Sequence, residues 1–198
     1  MIMQRAYYVI TLITIILVAC ASPKYKYPHV IIKTGLGDIE AEIYTDKAPK
    51  TATAFLHYVD SGLYDRSCFY RVLSTDNQPS NAVKAKLIQG GIWTTNPEKA
   101  ITMPGIPHET TQQTGIHHTD GVLSMARQAP GTASTEFFIC VGNQPGLDYG
   151  GANNPDGQGY AAFGKVIKGL NVIQKIYDQP EEDQVFTPPV AIISIKRL

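Results

Sequence analysis

From Val30 onward the chain is a succession of short apolar runs, each soon closed by Gly, Pro, Asn or Asp. Val30-Ile31-Ile32 leads into the turn Gly35-Leu36-Gly37-Asp38. Ile39, Ala41 and Ile43 then alternate with Glu40, Glu42 and Tyr44, the period of a half-buried strand. CFYRVL, LIQGG, GVLSMAR, EFFICV, AAFGKVIKG and the terminal VAIISIKRL continue the series. Only two stretches carry a helical stripe. In one, Ala48, Ala52, Phe55, Leu56 and Val59 share a face between Pro49 and Gly62. In the other, Leu170, Ile173, Ile176 and Tyr177 do so. A parallel doubly wound sheet needs a helix after nearly every strand, and these are missing. With 13 prolines and 17 glycines to make turns, the pattern implies a mainly β protein: a closed or nearly closed antiparallel barrel whose open ends are plugged by two helices.

The 198 residues suffice for one domain with a full core. Lys+Arg and Asp+Glu both total 17, so no charge excess points to nucleic acid or to an acidic polymer. Residues 1–19 stand apart. Arg5 precedes an uncharged run from Ala6 to Ala19, short for a membrane span. Its end, Leu17-Val18-Ala19-Cys20, resembles the lipobox of bacterial lipoproteins. That resemblance implies a signal peptide over 1–19, acylation of Cys20, a lipidated tether over 20–27 and a soluble domain over 28–198. Ala21 and Ser22 after the cysteine imply an outer-membrane destination in a Gram-negative envelope, facing the periplasm. The remaining cysteines, Cys68 and Cys140, sit inside apolar strand runs and are expected to be free buried thiols.

Two charges interrupt this scheme. In DGVLSMARQAPGTASTEFFICVG, Arg127 closes one apolar run and Glu136 opens the next, and an unpaired charge in a barrel core is costly. The strand period resolves it: Phe137, Ile139 and Val141 share one face, Phe138 and Cys140 the other. One phenylalanine is then free to fill the core while its neighbour faces a groove, with Arg127 and Glu136 expected at the solvated rims of that groove.

In this order, APKTATAFLHYV, CFYRVL, IQGG, GVLSMAR, FFICVG, LDYGG and GYAAFGKVIKGLNVI resemble a cyclophilin-type peptidyl-prolyl isomerase over nearly all of Val30 to Leu198. The resemblance implies a closed eight-stranded antiparallel barrel capped by two helices, acting on X–Pro bonds of unfolded or partly folded polypeptides without a cofactor or metal. It places Arg71 against the prolyl nitrogen, Gln89 where it orients the substrate, and Phe138 as the floor of a proline pocket completed by Leu87 and Leu147. Met125, Ala126, Arg127, Gln128, Glu136 and Tyr160 fall at the family's other substrate-binding positions. A monomer is expected. The physics of the reaction agrees: amide resonance sets a barrier of about 18–20 kcal/mol, and a guanidinium donating to the prolyl nitrogen weakens that resonance.

Three positions depart from the family pattern: Lys86 where phenylalanine is common, Glu136 where glutamine is common, and Gly146 where tryptophan or phenylalanine often stands beside Leu147. STDNQPSNAVKAK is an insertion between Arg71 and Gln89. Glu136 is expected either to orient Arg71 by a charged hydrogen bond or to compete with substrate for it. His117-His118, in GIHHTDG, lack the ligand spacing of a metal site. Asn153 to Gly157 reads as a solvated turn. The alternative to an enzyme is a weakly active or inactive proline-peptide-binding scaffold or chaperone on the same fold. A lipocalin-like carrier would need an empty barrel and explains few of these motifs.

Overall fold

The computed structural model describes residues 25–198; Cys20 and the segment assigned to a signal peptide lie outside them. Nine strands form one antiparallel sheet. They are β1 (His29–Thr34), β2 (Gly37–Ile43), β3 (Ser67–Leu73), β4 (Leu87–Gly91), β5 (Val122–Met125), β6 (Phe137–Cys140), β7 (Ala161–Lys168), β8 (Glu181–Glu182) and β9 (Val185–Arg197). Their order is β1-β2-β7-β5-β6-β4-β3-β9-β8, and β1 also pairs with β9. The first eight strands of that order therefore form a closed barrel, and the two-residue β8 is a hairpin appended to β9. Closure removes the sheet edges that would otherwise expose unpaired backbone.

The two long helical stripes become α1 (Pro49–Asp60) and, after two short helices α2 (Pro97–Thr102) and α3 (Thr111–Thr114), α4 (Leu170–Tyr177). The short helices belong to the long connection between β4 and β5, where no apolar stripe announces them. Pro49 occupies the first turn of α1, and the buried carboxylate of Glu109 caps it, accepting from Lys50 N (3.2 Å), Thr51 N (2.8 Å) and the Thr51 hydroxyl (2.7 Å). On α4 the buried face is Val172, Ile173 and Ile176, while Leu170 is exposed, unlike the expected stripe. No helix among the described residues is long and apolar enough to cross a membrane.

Alternation along the strands fills the barrel as the sequence requires. Val30, Ile32, Ile39, Ala41, Ile43, Phe69, Ile88, Leu123, Phe137, Ile139, Phe163, Ile192 and Ile195 point inward, and Phe55 of α1 lies 4.8 Å from the Phe163 ring and 5.6 Å from the Phe137 ring. A second, smaller cluster lies on the outer side of the same wall: Ala85, Leu87, Phe138, Cys140 and Leu147, flanked by Leu73, Ala126 and Tyr160. Cys68 and Cys140 are both free and buried. Tyr25 to Tyr27, read from the sequence as part of a tether, are packed on the barrel. The Tyr25 ring stacks on His29 at 3.7 Å and Tyr27 meets the edge of Tyr44 at 5.0 Å. Glu40, expected on the solvated face of β2, is buried beneath them, bonded to His29 Nδ1 (2.9 Å) and Lys168 Nζ (2.7 Å).

Candidate active site

A groove of about 680 Å³ runs along the outer cluster, across strands β3, β4, β6 and the end of β5. β3 and β4 pair Arg71 with Gln89, β4 and β6 pair Gln89 with Phe138, so three of the sequence-predicted residues sit side by side by register alone. Phe138 is the floor. It is buried, its ring stands edge-on to Tyr160 at 5.4 Å, and its far side stacks on His118 at 5.9 Å. Its orientation follows from that of Phe137: one ring fixed in the core forces its neighbour outward.

His118 is in turn immobilised. Its Nδ1 bonds Asp148 Oδ1 (2.7 Å), its Nε2 bonds Ser124 Oγ (2.9 Å), and all three of these groups lie behind the floor. Burial alone would raise the Asp148 pKa, but the His118 side chain and backbone N–H, with His117 on the other oxygen, hold it down at about 2. Ser124 and His118 are buried, so this serine–histidine–aspartate arrangement is closed to substrate and braces Phe138.

Arg71 is held at the groove from two sides. Nε (3.2 Å) and Nη2 (2.7 Å) donate to Gln184 Oε1, and Nη1 donates to Gln89 Oε1 at 3.4 Å. Gln184 was not recognised in the sequence. It is the second residue of the two-residue turn between β8 and β9, where Asp183 and Gln184 have φ of 51° and 72°. EEDQVF does carry a turn signal, but nothing local connects it to Arg71, more than a hundred residues earlier. Gln89 in turn donates from its side-chain amide nitrogen to the Tyr70 hydroxyl (2.7 Å).

Glu136 does not act as expected. Its Oε1 accepts from Ile92 N (2.9 Å), Trp93 N (3.0 Å) and Thr135 Oγ1 (3.0 Å), and its carboxylate lies where a Cβ on Gly91 would be. The bonds that hold Arg71 come from Gln184 and Gln89. Burial raises the Glu136 pKa, partly countered by these donors and by the nearby Tyr70 hydroxyl. Arg127 also departs from the solvated rim expected of it. Its side chain is fully covered, bonded to both oxygens of Asp156 (2.6 and 2.9 Å) and to Gly159 O (2.8 Å from Nε), and lies over the Tyr160 ring at 5.3 Å. The loop Asn153 to Gly157, expected as a solvated turn, is thereby also fastened to the groove. Hydrogen bonds within the wall offset the burial of Arg127 fully, but that of Glu136 only in part, since its Oε2 is buried with no hydrogen-bond partner.

Leu87, Ala126, Gln128, Leu147 and Tyr160 line the groove with these residues. Met125 does not: it is fully buried in the barrel core, because the strand period turns it inward and leaves the outward position to Ala126. The departures also find a physical account. Lys86 lies between Ala85 and Leu87, and only those two join the outer cluster. A Cβ on Gly146 would stand 3.4 Å from Val83, which comes from the insertion, so the inserted loop covers the place a large side chain would take. Trp93, Ile101 and Met103 extend the groove as an apolar rim beyond Glu136; no sequence pattern marks them, since two of them sit on or beside the short α2.

Comparisons with known proteins give the family and the fold. Residues 29–197 match the family model described as cyclophilin type peptidyl-prolyl cis-trans isomerase/CLD. A peptidyl-prolyl cis-trans isomerase of Acinetobacter baylyi is 38% identical over 171 residues, covering 83% of this chain and 82% of the relative. Peptidyl-prolyl cis-trans isomerase A of Dickeya dadantii is 31% identical over 193 residues, covering 93% of each. Among solved structures, a Cryptosporidium parvum cyclophilin type isomerase superposes with a TM-score of 0.67 at 23% identity, over 87% of this chain and 98% of that one, which establishes the likeness of fold. The family match spans the whole barrel, residues 29–197: this chain belongs to the cyclophilin-type peptidyl-prolyl cis-trans isomerases.

Proposed function

We propose that the chain accelerates rotation about X–Pro bonds with Arg71 as the catalytic group, Phe138, Leu87 and Leu147 holding the proline ring, and Gln89 orienting the peptide. The observation that carries this is the fixed guanidinium of Arg71 beside an apolar floor that is itself braced. A solved Cryptosporidium parvum relative, determined in the presence of the dipeptide Ala-Pro, supports the same class of ligand. Bringing a step of tens to hundreds of seconds to milliseconds requires about four to five decades, or roughly 5–7 kcal/mol. One hydrogen bond from a charged donor contributes about 1.5–3 kcal/mol. The remainder falls to a dry pocket that holds the ring while the preceding carbonyl turns.

The biological setting belongs to the same reading: a monomer anchored through acylated Cys20 to the periplasmic side of an outer membrane, acting on envelope proteins during folding. Its support is the lipobox-like sequence alone. The test of the activity is the isomerisation rate of a short X–Pro peptide with wild type and Arg71→Ala at equal concentration, folding being checked by circular dichroism. A fast wild type and a variant slower by tenfold or more, above about 1.4 kcal/mol of barrier, is the expected result. A folded wild type no faster than the uncatalysed reaction would identify a proline-peptide-binding scaffold instead.

A further inference from the structure

We infer that the anchored protein lies with its β1–β2–β7 wall against the lipid surface and its groove opening away from it. The inference rests on acylation of Cys20 as read above, and adds to it the docking of the chain just beyond that residue. From Tyr25 the chain is already fixed to the barrel: Tyr25 on His29, Tyr27 on Tyr44 and, through its hydroxyl, on Asp46 (3.3 Å). His29 is clamped by Glu40, and Glu40 by Lys168, so β1, β2 and β7 all contribute to the landing point. Five residue steps separate Cys20 from Tyr25, which at full extension span about 17 Å.

The position of the groove follows from strand order. Around the closed ring β1-β2-β7-β5-β6-β4-β3-β9, the strand opposite β1 is β6, and β6 carries Phe138. Eight strands about 4.8 Å apart and tilted by about 40° make a backbone cylinder about 16 Å across, with half a circumference of about 25 Å before side chains are added. A tether of about 17 Å cannot pass around that half-circumference to bring the groove wall to the membrane. It does bring the landing point there. The surface around that point suits a lipid interface: Ile167 and Leu170 are exposed beside Lys168, and exposed Leu198 follows the bond from its own N–H to His29 O (3.1 Å). An anchored molecule thus offers its groove to chains in the aqueous space rather than to segments lying in the bilayer.

Trp93 provides the test, because it is the chain's single tryptophan and stands half exposed on the groove rim. The full-length acylated protein is placed in vesicles of phosphatidylethanolamine and phosphatidylglycerol, with and without a lipid-borne spin-label quencher near the headgroups. Trp93 emission is expected to be unchanged by the quencher lipid yet reduced by acrylamide in solution. In the double variant Trp93→Phe, Leu170→Trp, the relocated tryptophan is expected to lose about half its emission or more to the quencher lipid, as an interfacial side chain does. Quenching of Trp93 by the lipid, or equal behaviour of the two positions, overturns the orientation while leaving the anchor intact. A chain whose mass shows no acyl group and which does not float with the vesicles overturns the anchor, and the orientation with it.

Discussion

Removing the Gln184 side chain tests whether a hairpin tip far from Arg71 in sequence sets the catalytic geometry. The cleanest substitution is Gln184→Gly. Gln184 has a φ of 72°, where glycine is unstrained and other residues cost about 1–2 kcal/mol. The turn therefore survives, and the relief offsets much of what the lost bonds contribute to stability. Gln184 Oε1 is the acceptor for two of the three Arg71 bonds within the site, at 3.2 and 2.7 Å; the remaining one, to Gln89, is 3.4 Å. An arginine released from such a clamp regains up to about 2 kcal/mol of rotamer freedom, which each turnover must then remove. With Gln89 still holding one nitrogen, about 1–2 kcal/mol is left on the barrier, or roughly 5–30-fold in kcat/KM. The assay is X–Pro isomerisation beside thermal unfolding. A variant with unchanged melting and wild-type turnover would refute the argument, since it would show that Arg71 reaches its working position without Gln184.

Three further outcomes follow from the charged groups. Burial raises the Glu136 pKa, so ionised Glu136 costs stability that is present when the group is protonated and lost as pH rises through its elevated pKa; Glu136→Gln is expected to melt at or above wild type at pH 7, with the difference closing near pH 4, and a variant that melts lower at pH 7 would reverse the reasoning. Asp148 is shifted the other way, to about 2, so its contribution is present above the ordinary aspartate range and lost as pH falls through about 2; Asp148→Asn is expected to be less stable than wild type at pH 7, to approach it in acid, and to lower isomerase activity by loosening the brace behind Phe138, all readable from paired melting and rate profiles. Arg127→Ala frees Asp156 and Gly159 O, so proteolysis within residues 150–160 is expected to quicken severalfold, whereas an unchanged cleavage rate would mean that the loop is held by other contacts.

The fold was legible because each barrel strand carries its own two-residue alternation, and α1 its own stripe with Pro49 in the first turn. That same alternation places Phe138 outward. It also predicts, when followed one strand back, that Met125 points inward while Ala126 faces out; the family-wide motif SMA obscured this. α2 and α3 were not legible, since TQQT and PEKAIT are too short for a stripe and are held by caps and by neighbours. Charged residues were the hardest to place. Arg127 and Glu136 look solvated as letters in a sequence, and only the converging acceptors and N–H groups of Asp156, Gly159, Ile92 and Trp93 reveal why burial is tolerated. Gln184 shows the same limit: a turn residue announces its backbone conformation, not the side chain a hundred residues away that it will hold.

The pairing of β1 with β9 places a temporal condition on this protein. Val30 bonds across to Arg197, so the first strand of the barrel finds its second neighbour only in the last few residues of the chain. Until those residues have been made, β1 has one open edge, and every ring contact that depends on closure is unavailable. The groove inherits the delay, because β3 also pairs with β9 and the hairpin that delivers Gln184 to Arg71 is part of that final segment. A nascent or partly threaded chain therefore holds Phe138 and Arg71 but not the site they form. The groove takes its shape only once β9 has paired with β1, β3 and β8.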